Sequence, residues 1–328
     1  MNLVEQLSLP GLQESLGKVE VALRQAVAVD DHFMREVAGH LVRAGGKRLR
    51  PALVVASAAA AGRPITDEVI DGAVAVELVH LGSLYHDDVM DGAEQRRGVR
   101  SVNSQWGNLV AILAGDFLLA RASEIAASLG TEVAALLAQT IGRLCQGEVS
   151  QLRQAFNPDR TEAEYFASIR GKTASLLATS ARIGAIVSGA DRAAVEAVTE
   201  FGLAFGIAFQ IWDDIRDLVA SDATLGKPAG HDLVEGTYTL PVLRALAQPE
   251  PGAELRGLLH RELDGPTRDK ARDLIIGSDA ITSTAAEART WADRSAEALT
   301  PLLTCGSPPD VENLASLGHR LIDSLAYP

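Results

Sequence analysis

The sequence predicts an all-α fold, a single large helical bundle over residues 1–328, and three observations carry that prediction. Proline breaks helix interiors, yet none lies between Pro64 and Pro158 or between Pro158 and Pro228, and both intervals are rich in Ala, Leu and Glu. Alternating strand-like runs are scarce. None of the candidate breaks is long enough to be an interdomain linker.

Taken in order, the breaks fall at AGGKRLRP (Ala44 to Pro51), AGRP (Ala61 to Pro64), NPDR (Asn157 to Arg160), LGKPAGHDLVEG (Leu225 to Gly236), QPEPG (Gln248 to Gly252) and GSPPD (Gly306 to Asp310). After AGRP comes a segment with apolar residues at Val69, Ile70, Ala73, Val74, Val76, Leu78, Leu81 and Leu84, a pattern closer to a buried helix than to a strand. A second helical stretch ends in FQIWDDIRDL.

The chain holds 30 Lys and Arg against 43 Asp and Glu, a net charge of -13, so no basic footprint for nucleic acid exists at the level of the whole chain. Cys145 and Cys305 stand too far apart in sequence to suggest a disulfide framework or a metal cluster, which fits a reducing cytoplasm. No Lys or Arg precedes Lys18, and no unbroken apolar run has the length of a membrane span. A soluble, cytoplasmic protein is expected.

The chemistry concentrates in two acidic clusters. In HLGSLYHDDVMDGAEQRRG, Asp87, Asp88 and Asp91 precede Arg96 and Arg97. On a helix Asp91 lies beside both other aspartates, and like charges at that spacing destabilise it, so something outside the helix must compensate. In FQIWDDIRDL, Gln210, Asp213, Asp214 and Asp217 fall at i, i+3, i+4 and i+7, a polar stripe crowded by Phe209, Ile211, Trp212, Ile215 and Leu218. One such motif fits a solvated acidic face; two with the same internal spacing, each in an apolar helix, fit a metal site. Carboxylates are hard ligands, and Mg²⁺ commonly binds through one or two of them plus substrate phosphates. Two facing acidic walls therefore suit a diphosphate bridged by Mg²⁺. Cations for its other oxygens stand at Lys47 and Arg50, at Arg96 and Arg97, at Lys172 in RGKTASLL and at Lys227 in LGKPAG. His80 lies about two helical turns before Asp87 and shares nearly the same face. No G-x-S-x-G, G-x-G-x-x-G or Walker A motif is present, so the implied chemistry is activation of a departing diphosphate.

From GGKRLRP through HDDVMD, RRG, GDFLLA, GEVSQL, GKT, FQIWDD, LGKPAG and TLP, the chain resembles the trans-isoprenyl (polyprenyl) diphosphate synthases over about Gly45 to Pro241. The resemblance implies an isoprenoid synthase class I bundle with a central cavity, and a prenyltransferase that condenses isopentenyl diphosphate head-to-tail with an allylic diphosphate. It implies Mg²⁺, three ions bound with the substrate diphosphate, held by Asp87, Asp91 and Asp213 with support from Asp88, Asp214 and Asp217. Arg96, Lys172 and Lys227 would hold the allylic diphosphate, and Lys47, Arg50, His80 and Arg97 that of isopentenyl diphosphate. Thr173 and Gln210 would line the allylic carbons. One departure is Thr237, where many relatives carry a lysine after the glycine that here is Gly236.

In the family, the residues four and five before the first aspartate face the growing chain. Here they are Ser83 and Gly82, both small, so a medium- or long-chain product beyond geranylgeranyl is expected. Alternatives are a geranylgeranyl diphosphate synthase, the catalytic subunit of a heteromeric synthase, and a class I terpene cyclase; the intact DDIRD and GGKRLRP argue against the last. The resemblance also implies a homodimer, and a long product implies peripheral membrane contact for its release.

Overall fold

A computed structural model describes residues 3–220, 229–259, 263–303 and 308–325, and within them helix dominates. The main helices are α1 (Leu12–Ala26), α2 (Leu49–Ala60), α3 (Asp67–Met90), α4 (Asn108–Ser128), α5 (Thr131–Arg153), α6 (Glu162–Ile169), α7 (Ser175–Val187), α8 (Arg192–Val219) and α9 (Ala280–Ala298). Helix α8 packs against both α7 and α9, α7 against α2, and α3 against α1, α2 and α4. One cluster of buried apolar residues runs from Leu3 to Ile322. The only strands among the described residues form a two-residue hairpin, Gln95–Arg96 with Val99–Arg100. By length and composition α8 could cross a membrane, but 67% of its apolar window is buried inside the protein, as befits a central helix.

Helix boundaries follow local chemistry. Asp67 and Glu68 occupy the first turn of α3, where carboxylates suit the positive end of the helix dipole, and Gly92 at φ 61° turns the chain away after its end. Asp191 caps α8 by accepting from the Ala194 amide at 2.8 Å. Two expected breaks are shorter than the sequence suggests. Helix α2 begins at Leu49, so Pro51 stands in its first turn, and Gln248 to Gly252 opens a helix, Pro249–Leu258, with only Glu250 non-helical. Proline is tolerated in a first turn because the amide it lacks has no partner there.

The abundance of Gly and Ala becomes close packing. A Cβ at Gly184 on α7 would lie 2.1 Å from the Val54 carbonyl oxygen of α2, and one at Gly206 on α8 would lie 2.6 Å from the Ala174 Cα. Neither contact is with a flexible side chain, so only backbone shifts could make room. Gly184→Ala is expected to cost about 3 kcal/mol of stability, measured by denaturant unfolding. A loss under about 0.5 kcal/mol would mean that α2 and α7 are free to separate.

Candidate active site

Each acidic motif ends a long helix. Asp87 and Asp88 lie in the last turn of α3, with Asp91 as its C-cap; Asp213, Asp214 and Asp217 lie in the last two turns of α8. Carboxylates at a helix C-terminus meet the negative end of the dipole, which compounds their mutual repulsion. Two helices thus direct their unfavourable ends toward one place. Asp87, Asp91, Asp213 and Asp214 line a single cavity of about 280 Å³, together with Arg96, Lys172, Thr173, Gln210 and Thr237. The two motifs do face each other.

Of the two motifs, Asp88 and Asp217 are not part of that wall, which Asp232 joins instead. Asp88 is fully buried and receives Arg96 at 2.6 and 2.7 Å, fixing the guanidinium that itself lines the cavity. Asp217 is 6% exposed; its carboxylate accepts from the Asp232 amide at 3.2 Å and its carbonyl from the Gly230 amide at 2.7 Å. Both therefore anchor neighbouring segments. Asp214 lines the cavity, but its two oxygens already accept from Tyr165 at 2.5 Å and Gln210 at 2.8 Å. Thr173 donates to the Gln210 carbonyl oxygen at 2.6 Å, so the amide is oriented at both ends.

Among the described residues, no group of three or more His, Cys, Asp or Glu is drawn together closely enough to hold a metal alone. The carboxylates and cations that do line the cavity form a donor set that fits Mg²⁺, which favours a few carboxylates completed by phosphate oxygens. The electrostatics agree. Burial raises the Asp87 carboxyl to about 6, with Glu148 and Asp91 adding to the effect and Lys172 and Arg96 opposing it. Burial likewise raises Asp214 to about 7, against the hydrogen bonds from Tyr165 and Gln210. A bound cation would favour the charged form of such carboxylates.

Lys172 and Thr173 stand on a π-helical turn, Arg170–Ala174, of the kind often found at functional sites. Its seat is made by glycine. A Cβ at Gly147 on α5 would lie 2.5 Å from the Lys172 amide nitrogen. Glu148, the next residue of GEVSQL, pairs with the Lys172 ammonium at 2.7 Å. Burial opposes that charge, but Glu148, Asp87 and Asp91 outweigh it and hold the lysine above its ordinary range.

Two further cavities lie nearby, the second bordering both of the others. One, of about 310 Å³, is lined by Lys47, Arg48, Arg50, Glu77, His80 and Arg97 on its polar side and by Phe209 and Trp212 on its apolar side. His80 is pushed well below the usual histidine range by burial and by the surrounding arginines, so it presents a neutral ring. Burial also lowers Arg50, to about 10. The other cavity, of about 510 Å³, is mostly apolar, with Ser83, Leu84, Met90, Ile112, Leu144 and Val149 in its wall. It shares Asp87, Lys172 and Thr173 with the acidic cavity, and Arg50 and His80 with the cationic one. A polar group at either of its neighbours thus sits at the mouth of an apolar space.

Of the two expected wall residues, Ser83 lines this space and Gly82 does not. A Cβ on Gly82 would lie 3.1 Å from the Gly115 carbonyl oxygen and 3.2 Å from Leu119, so this glycine serves the contact of α3 with α4. Lys227 lies outside the described residues. Sequence reasoning assigned no part to Arg48, Glu77, Glu148 or Tyr165. For Glu148 the signal was present, since GEVSQL was already singled out.

A family profile described as polyprenyl synthetase matches residues 31–272. The chain is 40% identical over 282 residues to the heptaprenyl diphosphate synthase component 2 of Geobacillus stearothermophilus, covering 86% of each protein. It is 43% identical over 255 residues to the nonaprenyl diphosphate synthase of Mycobacterium tuberculosis, covering 77% of this chain and 73% of that protein. Among solved structures it is similar to a polyprenyl synthase from Caulobacter crescentus complexed with calcium and isoprenyl diphosphate, with a TM-score of 0.90, 36% identity and 98% of both chains covered.

Proposed function

The chain belongs to the polyprenyl synthetase family, and from that premise we propose that it condenses isopentenyl diphosphate head-to-tail with an allylic diphosphate to make a medium- or long-chain all-trans polyprenyl diphosphate. The observation that carries this reading is the shared cavity of Asp87, Asp213 and Gln210, opening beside Lys172 and Thr173 onto an apolar space.

Asp87, Asp91 and Asp213 would hold Mg²⁺, three ions with the substrate bound, while Asp88, Asp214 and Asp217 support them by anchoring Arg96, Gln210 and the segment after α8. Bound Mg²⁺ supplies Lewis-acid neutralisation of the departing diphosphate. Lys172 and Arg96 grip the same diphosphate from the protein side, as does Lys227 by family resemblance. Lys47, Arg50, Arg97 and the neutral His80 ring hold the diphosphate of isopentenyl diphosphate. As the allylic carbon–oxygen bond breaks, the Gln210 and Thr173 oxygen dipoles stabilise the electron-poor carbon. The isopentenyl double bond attacks it, and the released diphosphate takes the proton. The chain grows into the space beside Ser83.

We read the chain as one domain and, in its working form, as a homodimer. Leu109 and Leu113 on α4 are 70% and 53% exposed, an apolar face that a second copy would cover. A neighbouring membrane would take up the product. A second reading, that the chain is the catalytic subunit of a heteromeric synthase, draws on the relative named as a component 2.

Purified protein with Mg²⁺, isopentenyl diphosphate and each allylic starter tests the function, with products identified by mass. A ladder ending beyond C20 is expected. A cyclised hydrocarbon overturns the reading, and turnover only with an added unlike subunit favours the second one. The metal site has its own measure. Mg²⁺ and pyrophosphate together should raise Tm by about 5 °C, and either alone should do far less, because the carboxylates need phosphate oxygens to complete the shell. An equal shift with Mg²⁺ alone would show a preformed site instead.

A further inference from the structure

The segment Gly45 to Arg50, a loop that runs into the first turn of α2 at Leu49, carries three cations, and they are not used alike. Arg50 is half-buried with its Nε bound to nothing in the protein, and among the described residues no hydrogen bond or ion pair engages the Lys47 ammonium. Arg48 is the opposite case. It is 6% exposed and spends four contacts within the protein: Nε to Glu20 at 2.5 Å, Nη2 to Glu20 at 3.3 Å, Nη2 to the Val42 carbonyl at 3.2 Å, and Nη1 to Glu77 at 2.7 Å. Glu20 belongs to α1 and Glu77 to α3, so this one guanidinium ties the loop to two helices.

The backbone agrees with that division. Arg48 has φ 50° and ψ 37°, a left-handed conformation uncommon for a residue with a Cβ, and it directly precedes α2. Glu77 is 1% exposed and also lies 3.9 Å from Arg97, whose guanidinium rests on Gly46, where a Cβ would be only 2.6 Å from it. One buried carboxylate thus faces two guanidiniums on the edge of the cationic cavity.

We propose that Arg48, held by Glu20 and Glu77, is a positioning residue that keeps Lys47 and Arg50 in register for the diphosphate of isopentenyl diphosphate. The inference rests on the reading of that cavity given above. Lys47 and Arg50 keep their donors for substrate because Arg48 spends its own on the protein. Long cationic side chains lose contact with an anion through small displacements of the loop that bears them.

Arg48→Gly is the direct test, since glycine adopts the observed φ without strain and only the clamp is lost. With farnesyl diphosphate as the allylic probe, the KM for isopentenyl diphosphate should rise about tenfold or more, while kcat and the KM for the probe change by less than about twofold. Arg48→Lys should fall between wild type and Arg48→Gly. Both KM values rising together, in step with a lower Tm, would reduce the clamp to helix cement and overturn the proposal. Should Arg48→Gly fail to fold, Glu20→Gln carries the same test: a selective rise supports the clamp, and an unselective one or none overturns it. Lys47→Ala separates the two levels. If it raises the isopentenyl KM and Arg48→Gly does not, only the clamp fails; if it leaves that KM unchanged, the cavity assignment fails and takes the clamp with it.

Discussion

Asp87→Asn and Asp213→Asn are each expected to lower kcat about a thousandfold, and the double variant to be only a few-fold slower than either. The reason is geometric: the two carboxylates come from different helices, yet they line one cavity and would hold one metal–diphosphate assembly. Residues that act on a shared ligand are not additive, because losing the first already removes most of what the second supports. Steady-state kinetics with a Mg²⁺ titration provide the measurement, and the half-saturating Mg²⁺ concentration should rise in each single variant. Losses that multiply to about a millionfold would mean two independent sites, and the mechanism above would have to be abandoned. Neither change should disturb the fold, since both carboxylates border the cavity, whereas Asp88 and Asp217 are buried.

Ser83→Phe is expected to cut the product to a chain of about C20 or shorter, while turnover of the first condensation stays within about threefold of wild type. Ser83 stands on the wall of the 510 Å³ apolar space, four residues before Asp87 and thus about one turn behind the acidic motif. A phenyl ring there would project into the path of the growing tail without touching the diphosphate. Gly82→Phe should behave differently. Its side chain would meet the Gly115 carbonyl and Leu119 of α4 within about a van der Waals contact, so loss of Tm should precede any change in product length. Mass spectrometry of the products, with thermal denaturation of both variants, distinguishes the two. An unchanged ladder in Ser83→Phe would place the tail somewhere else.

Much of the site was legible because its chemistry is repetitive. Two acidic motifs of equal spacing, each embedded in apolar helix, pointed to a common site, and Asp87 and Asp213 line one cavity. Which aspartates line the cavity was not legible. Asp88 is adjacent to Asp87 yet turns about 100° around the helix axis, where it finds Arg96 instead of the cavity. Nor could the sequence distinguish Arg48 from Lys47 and Arg50, since its partners Glu20 and Glu77 come from remote helices and carry no local pattern. Gly82 and Ser83 looked alike as small residues; only the approach of α4 gives them separate duties. The fold class followed from proline spacing, while the exact starts of helices at Leu49 and Pro249 depended on how proline sits in a first turn.

On the function proposed above, helix α3, which carries Asp87 and, about one turn nearer its start, Ser83 on the wall of the apolar space, would work as a graduated rod with its zero mark at the headgroup. Each turn is about 5.4 Å long. Sliding a bulky obstruction along the rod changes the length admitted in fixed increments and leaves the zero untouched. Descendants of this sequence could therefore trade one tail length for another through a single codon, without renegotiating the ionic end of the molecule.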